Sequence, residues 1–219
     1  MSRLIPFSVG EYYHIYNRGT DKRKIFITDN DYRRFLVLLY LANSNKPIRI
    51  NLRKKSLLNF LETDQGETFV DIGAYCLMPN HFHLLLKEKT ENGISIFMQK
   101  LTTAFTMYFN KRHERNGVLF QGVFKAEHLK NDNYLKYIYS YIHLNPIKLI
   151  DPTWRESGIK DQSKAEKFLK QYQYSSYLEY MNTDRKEKVV INKNAFPNYF
   201  ENTDNFEKTI KFWLSNINE

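Results

Sequence analysis

The chain has one cysteine, Cys76, among 219 residues. An internal disulfide framework and a cysteine-rich zinc site are therefore excluded. With only 8 glycines and 6 prolines, it contains no low-complexity segment, no internal repeat and no Gly/Ser linker. No apolar run approaches the roughly 20 residues needed to span a bilayer, and residues 1–10 lack a signal-peptide pattern. The expectation is a soluble cytoplasmic protein without a membrane partner. Acidic residues are in deficit, 24 Asp and Glu against 33 Lys and Arg, a net charge of +9. That imbalance points to a polyanionic partner, with nucleic acid the first candidate.

Aromatic residues are abundant, with 16 Tyr and 16 Phe, and regular periodicities are present. Residues 12–18 (YYHIYNR) read as a strand ended by Gly19. Thr28 is the expected N-cap of a helix running to about Asn43, with Phe35, Leu38, Leu39 and Ala42 at helical spacing. Residues 68–77 and 81–87 read as antiparallel strands joined through Pro79 and Asn80. Gly93 precedes an amphipathic helix to about Arg112, and residues 131–144 read as another helix. Pro146 disfavours helical geometry at Asn145, so that helix should stop there. Residues 118–129 resemble an extended segment interrupted at Gly122, and residues 204–217 a terminal helix with Phe206, Ile210, Trp213, Leu214 and Ile217 on one face. The basic stretch 46–64, with Arg49, Arg53, Lys54 and Lys55, fits no single element. The mixture predicts an α+β layer sandwich on an antiparallel sheet. The expected division is a domain over 1–150 and a C-terminal extension over 151–219.

The chemistry concentrates at Pro79-Asn80-His81-Phe82-His83. On a strand, residues i and i+2 share a face, so His81 and His83 project together with Leu85, while Phe82, Leu84 and Leu86 face a core. Two imidazoles side by side are half a metal site. Tyr141 and Asn145, four apart on a helix, offer a nucleophile and a neutral oxygen ligand on one face. Tyr134, Tyr137 and Tyr139 lie on the same helix, and residue chemistry alone does not choose among the four. The remaining histidines (His14, His113, His128, His143) read as surface or hydrogen-bonded groups. A metallohydrolase unrelated to DNA is disfavoured by the charge and by the lack of acidic ligands beside the histidines.

The run Met78 to Leu86 resembles the HUH motif (His, bulky hydrophobe, His) of the single-strand DNA tyrosine transposases. More closely, the chain is similar to the REP-associated tyrosine transposases. Residues 13–19 (YHIYNRG), 101–110 (LTTAFTMYFN), 117–126 (GVLFQGVFKA) and 141–146 (YIHLNP) match that family in order. The resemblance implies a ferredoxin-like sandwich with the HUH strand central. It implies His81, His83 and Asn145 as ligands of Mg²⁺ or Mn²⁺ and Tyr141 as the catalytic tyrosine. The implied reaction is cleavage of single-stranded or hairpin DNA through a 5′-phosphotyrosine, then rejoining, by a monomer or homodimer associated with the nucleoid. A domesticated DNA-binding protein of the same fold is the alternative. Departures occur at Val123, where the family often has Arg, and at residues 147–150. Beyond 150 only residues 174–177 (YSSY) are similar to a family motif. Arg18, Lys111, Arg112, Arg115, Lys125 and Lys148, inside or beside the matched segments, are the expected DNA contacts.

Overall fold

The computed structural model describes residues 6–53, 55–200 and 202–215. Its centre is a four-stranded antiparallel sheet in the order β2-β3-β1-β4. The strands are β1 (Tyr12–Arg18), β2 (Val70–Met78), β3 (His81–Glu88) and β4 (Lys125–His128). Helix α1 (Asp29–Ala42) joins β1 to β2, and α2 (Gly93–Arg112) joins β3 to β4. This βαββαβ order is the ferredoxin-like arrangement, with β3, the strand carrying His81 and His83, between β2 and β1.

Local chemistry sets the boundaries. Thr28 caps α1 through a capping box with Asp31, whose carboxylate accepts from the backbone of Thr28 and Ile27 at 2.8 and 2.9 Å. Asn131 caps α3 (Asp132–Leu144) by accepting from the Tyr134 backbone. A shift in the β2–β3 register falls at Gly73. A Cβ there would meet the Phe196 ring at 2.8 Å, so only glycine lets that aromatic lie against the strand. β4 is only four residues long, because Gly122 takes φ +66° and bends the preceding chain out of the ladder.

The end of α3 departs from expectation. Asn145 keeps helical angles (φ −53°, ψ −37°), and the chain tightens into a 3₁₀ turn over Asn145–Leu149 with Pro146 in its first turn. Proline at a helix N-terminal position lacks only an N–H that would be unpaired anyway, so a new turn starts where the old one ends.

The alternation of β3 is as the two-residue period requires. Phe82, Leu84 and Leu86 enter a core with α1 and α2, rich in Phe35, Phe97 and Phe105. Leu85 enters a second core on the opposite face, with α3 and the chain beyond residue 150. That chain forms α4 (Trp154–Ser157), α5 (Gln162–Gln171), α6 (Tyr177–Tyr180) and α7 (Thr203–Ser215). Phe206, Ile210 and Leu214 of α7 are buried as its periodicity requires, and Ile217 lies outside the described residues. The 46–64 stretch contains one 3₁₀ segment, Leu57–Glu62, which buries Phe60 and Leu61; Lys54 lies outside the described residues.

Residues 174–176 run along the free edge of β2. Leu77 N donates to Tyr174 O at 2.9 Å, Ser176 N donates to Tyr75 O at 3.0 Å, and Cys76 bridges to Ser175. Beside them, buried Glu179 accepts from the Tyr75 hydroxyl at 2.9 Å and pairs with Arg185 at 2.7 Å. Among the described residues, no helix is long and apolar enough to cross a membrane.

Candidate active site

The site begins at a pinned turn. Ile25 N and Phe26 N donate to Pro79 O at 2.8 and 3.1 Å, and Gly19 N donates to Asn80 O at 2.9 Å. The chain leaving β1 thereby fixes the β2–β3 connection and the start of the histidine strand. His81 then pairs in register with Arg18 and Met78, and His83 with Tyr16 and Cys76. The two imidazole rings stand 5.1 Å apart and nearly perpendicular.

Each ring is held through Nδ1. His81 Nδ1 lies 2.6 Å from Asn80 Oδ1, and His83 Nδ1 lies 2.9 Å from His14 Nε2. Asn145 is buried beside His81, and its Nδ2 has no partner. Burial holds His81 neutral, and the cations Lys148, Arg155 and Arg18 add to it against the nearby Asn145 side chain; its pKa falls to about 4. His83 lies well below the ordinary value for the same first reason, burial, reinforced by His14 and His81.

Tyr141 comes from α3 to meet this pair within one chain. Its ring stands edge-on to His83 at 5.3 Å and to His14 at 5.7 Å. The Arg155 guanidinium lies 4.4 Å over the same ring. Tyr139, two residues earlier, points the other way and is fully buried. Tyr134 hydrogen-bonds Glu127. Tyr137 packs against Trp213. Of the four tyrosines, only Tyr141 lines a cleft of about 870 Å³ together with His81 and His83. Arg18, Lys22, Lys24, Lys125 and Lys148 also line it, and among the described residues no carboxylate does.

A profile of the IS200-like transposases matches residues 10–145. The chain belongs to that family. Among solved structures, the transposase is similar to the REP-associated tyrosine transposase bound to a REP hairpin. That match has 12% identity and a TM-score of 0.54, over 85% of this chain and 90% of that chain. At that identity the likeness is one of fold, and the shared fold is the α+β sandwich described above. A further similarity, to the tRNA(His) guanylyltransferase of Saccharomyces cerevisiae, has 15% identity over 91% of this chain and 86% of that one. Its TM-score is 0.38. No curated protein matches.

Three of the basic residues expected to meet DNA, Arg18, Lys125 and Lys148, line the cleft of this transposase, and three do not. Lys111, Arg112 and Arg115 gather at the C-terminus of α2, which packs on the other face of the sheet. Arg115 is engaged locally, with the Val118 carbonyl and the Asn110 side chain. His143 is buried and hydrogen-bonded to Ser176 at 2.8 Å, as a non-ligand. His14, Glu127, Arg155, Lys22 and Lys24 were not singled out by sequence. For Lys22 and Lys24 the signal was only their closeness to the 13–19 motif; for Glu127 and Arg155 there was none.

Proposed function

We propose that this IS200-like transposase cuts and rejoins single-stranded DNA beside hairpins, with Tyr141 as the nucleophile. The observation that carries this reading is the meeting of Tyr141 with His83 in a cleft lined, among the described residues, by five cations and no carboxylate.

The donor set suits a divalent cation. Two neutral imidazoles with Nδ1 engaged leave both Nε2 atoms to donate, and Asn145 adds an amide oxygen. Among the described residues, no group of three or more His, Cys, Asp and Glu gathers to form an alternative site. His81, His83 and Asn145 would hold Mg²⁺ or Mn²⁺, whose chemistry is to polarise a phosphoryl oxygen. Because all three ligands are neutral, the full charge of such an ion is left for the phosphate.

The remaining steps belong to the chain itself. Arg18, Lys22, Lys24, Lys125 and Lys148 bind the phosphates flanking the scissile bond. Arg155, over the Tyr141 ring, gives the ring one orientation and places positive charge beside the nucleophile. The Tyr141 oxygen attacks phosphorus as its proton leaves to solvent. The bond from phosphorus to the 3′ oxygen breaks, that oxygen takes up a proton, and the 5′-phosphate stays on the tyrosine. Attack by another 3′-hydroxyl reverses the exchange, so strand joining needs no nucleotide cofactor. All four groups lie in one chain, so cleavage requires no second copy. The hairpin carried by the structural neighbour supports a hairpin-forming target here as well.

The decisive experiment incubates an end-labelled hairpin oligonucleotide carrying single-stranded flanks with the protein and Mn²⁺, followed by denaturing electrophoresis. Wild type is expected to give a protein–DNA adduct, and Tyr141→Phe to bind the DNA without forming one. An adduct with the Phe variant removes Tyr141 from the role. Binding without an adduct in wild type favours the domesticated DNA-binding reading.

A further inference from the structure

Glu127, the third residue of β4, sits where four elements meet. Its Oε1 accepts from the Tyr16 hydroxyl at 2.9 Å, and its Oε2 from the Tyr134 hydroxyl at 2.8 Å. His14 Nδ1 lies 3.6 Å from the same Oε2, and His14 Nε2 lies 2.9 Å from His83 Nδ1. His14 is buried, with 3% of its surface exposed. The order Glu127–His14–His83 therefore runs from the sheet edge to the centre of the site.

The proton positions follow from what each group can do. A neutral imidazole has one N–H and one lone pair, and a carboxylate only accepts. His14 Nδ1 makes no hydrogen bond, but the carboxylate 3.6 Å away favours an N–H over a lone pair facing it, which leaves Nε2 as the acceptor. His83 must donate from Nδ1, which leaves its Nε2 bare, the atom through which it would hold a cation. The other branch of the same carboxylate reaches Tyr134, on α3 seven residues before Tyr141. One side chain thus ties the histidine strand and the nucleophile's helix to a common point.

We infer that Glu127 and His14 are positioning residues: they set the tautomer of His83 and, through Tyr134, the placement of Tyr141. The inference rests on the metal-dependent reading above. Two measurements test it. Nitrogen-15 NMR of the histidine rings reads the His83 tautomer in the metal-free protein, and titration calorimetry reads Mn²⁺ affinity. Wild-type His83 is expected to carry its proton on Nδ1. His14→Phe and Glu127→Ala should weaken Mn²⁺ binding by about 10- to 100-fold. His14→Gln, whose amide oxygen still accepts from His83, should recover part of that loss. Tyr134→Phe should leave Mn²⁺ affinity unchanged and lower the rate of adduct formation at saturating DNA. A proton on Nε2 of wild-type His83, or Mn²⁺ binding by folded His14→Phe equal to wild type, overturns the inference. If His14→Phe does not fold, His14→Gln and the wild-type spectrum decide. If wild type takes up no Mn²⁺, the metal-dependent reading fails, and the tautomer measurement alone judges the roles of Glu127 and His14.

Discussion

On the α1/α2 face of the sheet, the buried polar groups serve mainly the backbone. Asp31 closes the start of α1, Glu88 accepts from Gly93 N and Ile94 N at the start of α2, and Asn43 bonds the Phe69–Val70 backbone. On the α3 face, the partners are side chains brought from far along the chain. His14 and His83 are 69 residues apart, and His143 and Ser176 are 33 apart. The first kind of burial satisfies helix ends that any such fold must satisfy. The second keeps imidazoles neutral and leaves a ring nitrogen of His81 and His83 uncommitted, at a cost in desolvation that packing alone does not require. The contrast is sharpest at His14 and His83, whose buried imidazoles are spent on each other rather than on a helix end.

Substitutions should separate the two faces. The largest effect is expected from His83→Ala, which should lower adduct formation by about a thousandfold or more while leaving the melting temperature near that of wild type; comparable activity would dissolve the contrast. At the β2 edge, Glu179→Ala leaves Arg185 buried without its partner, and equilibrium denaturation should show a loss of about 4 kcal/mol. Leu84→Ala, on the α1/α2 face, should cost about 3 kcal/mol in the same assay. Its folded fraction should form adduct at the wild-type rate. The pH dependence sharpens the comparison further. Burial first, and nearby lysines and arginines after it, hold His81 at about 4 and His143 at about 3, both below the ordinary value near 6.5. As pH falls through 6.5 the unfolded chain takes up protons that the folded chain refuses. Stability is then lost progressively from about pH 6.5 toward 4, and denaturation curves at pH 7.5 and 5 should show it. The smallest effect concerns the cations. Lys148→Ala should reduce DNA affinity and lower the salt-dependence slope by about one, whereas Lys111→Ala should leave both nearly unchanged.

The sheet, α1, α2 and α3 were legible because their signals are local: a two-residue alternation in β3, a capping box at Thr28, a helical stripe from Gly93. The histidine face was readable for the same reason. Tyr141 was not separable from Tyr134, Tyr137 and Tyr139 by residue chemistry, because their difference is angular and set by what α3 packs against; family resemblance supplied that choice. Asn145 was placed correctly on the helix face, but its helical angles were missed because Pro146 starts a new turn instead of ending the old one. His14, Glu127 and Arg155 carry no local signature, since their roles arise from pairings across 69 residues or more, or from a four-residue helix lacking periodicity. Closeness to a motif in sequence does not fix which face of the sheet a residue reaches, and Lys111, Arg112 and Arg115 fall at the end of α2, away from the cleft.

The short run of residues 174–176 along β2 has a consequence for how this protein can be trimmed. A chain cut at residue 150 would retain everything that the family profile spans. It would also uncover the backbone groups of Tyr75 and Leu77 that Tyr174 and Ser176 now occupy. The other border strand, β4, is only four residues long, so the exposed β2 edge would become the longest unpaired ladder in the molecule. Such an edge invites strands from other copies, and shortened chains should associate edge to edge and precipitate. A short run beyond the span of the family profile thus also protects the sheet against self-association.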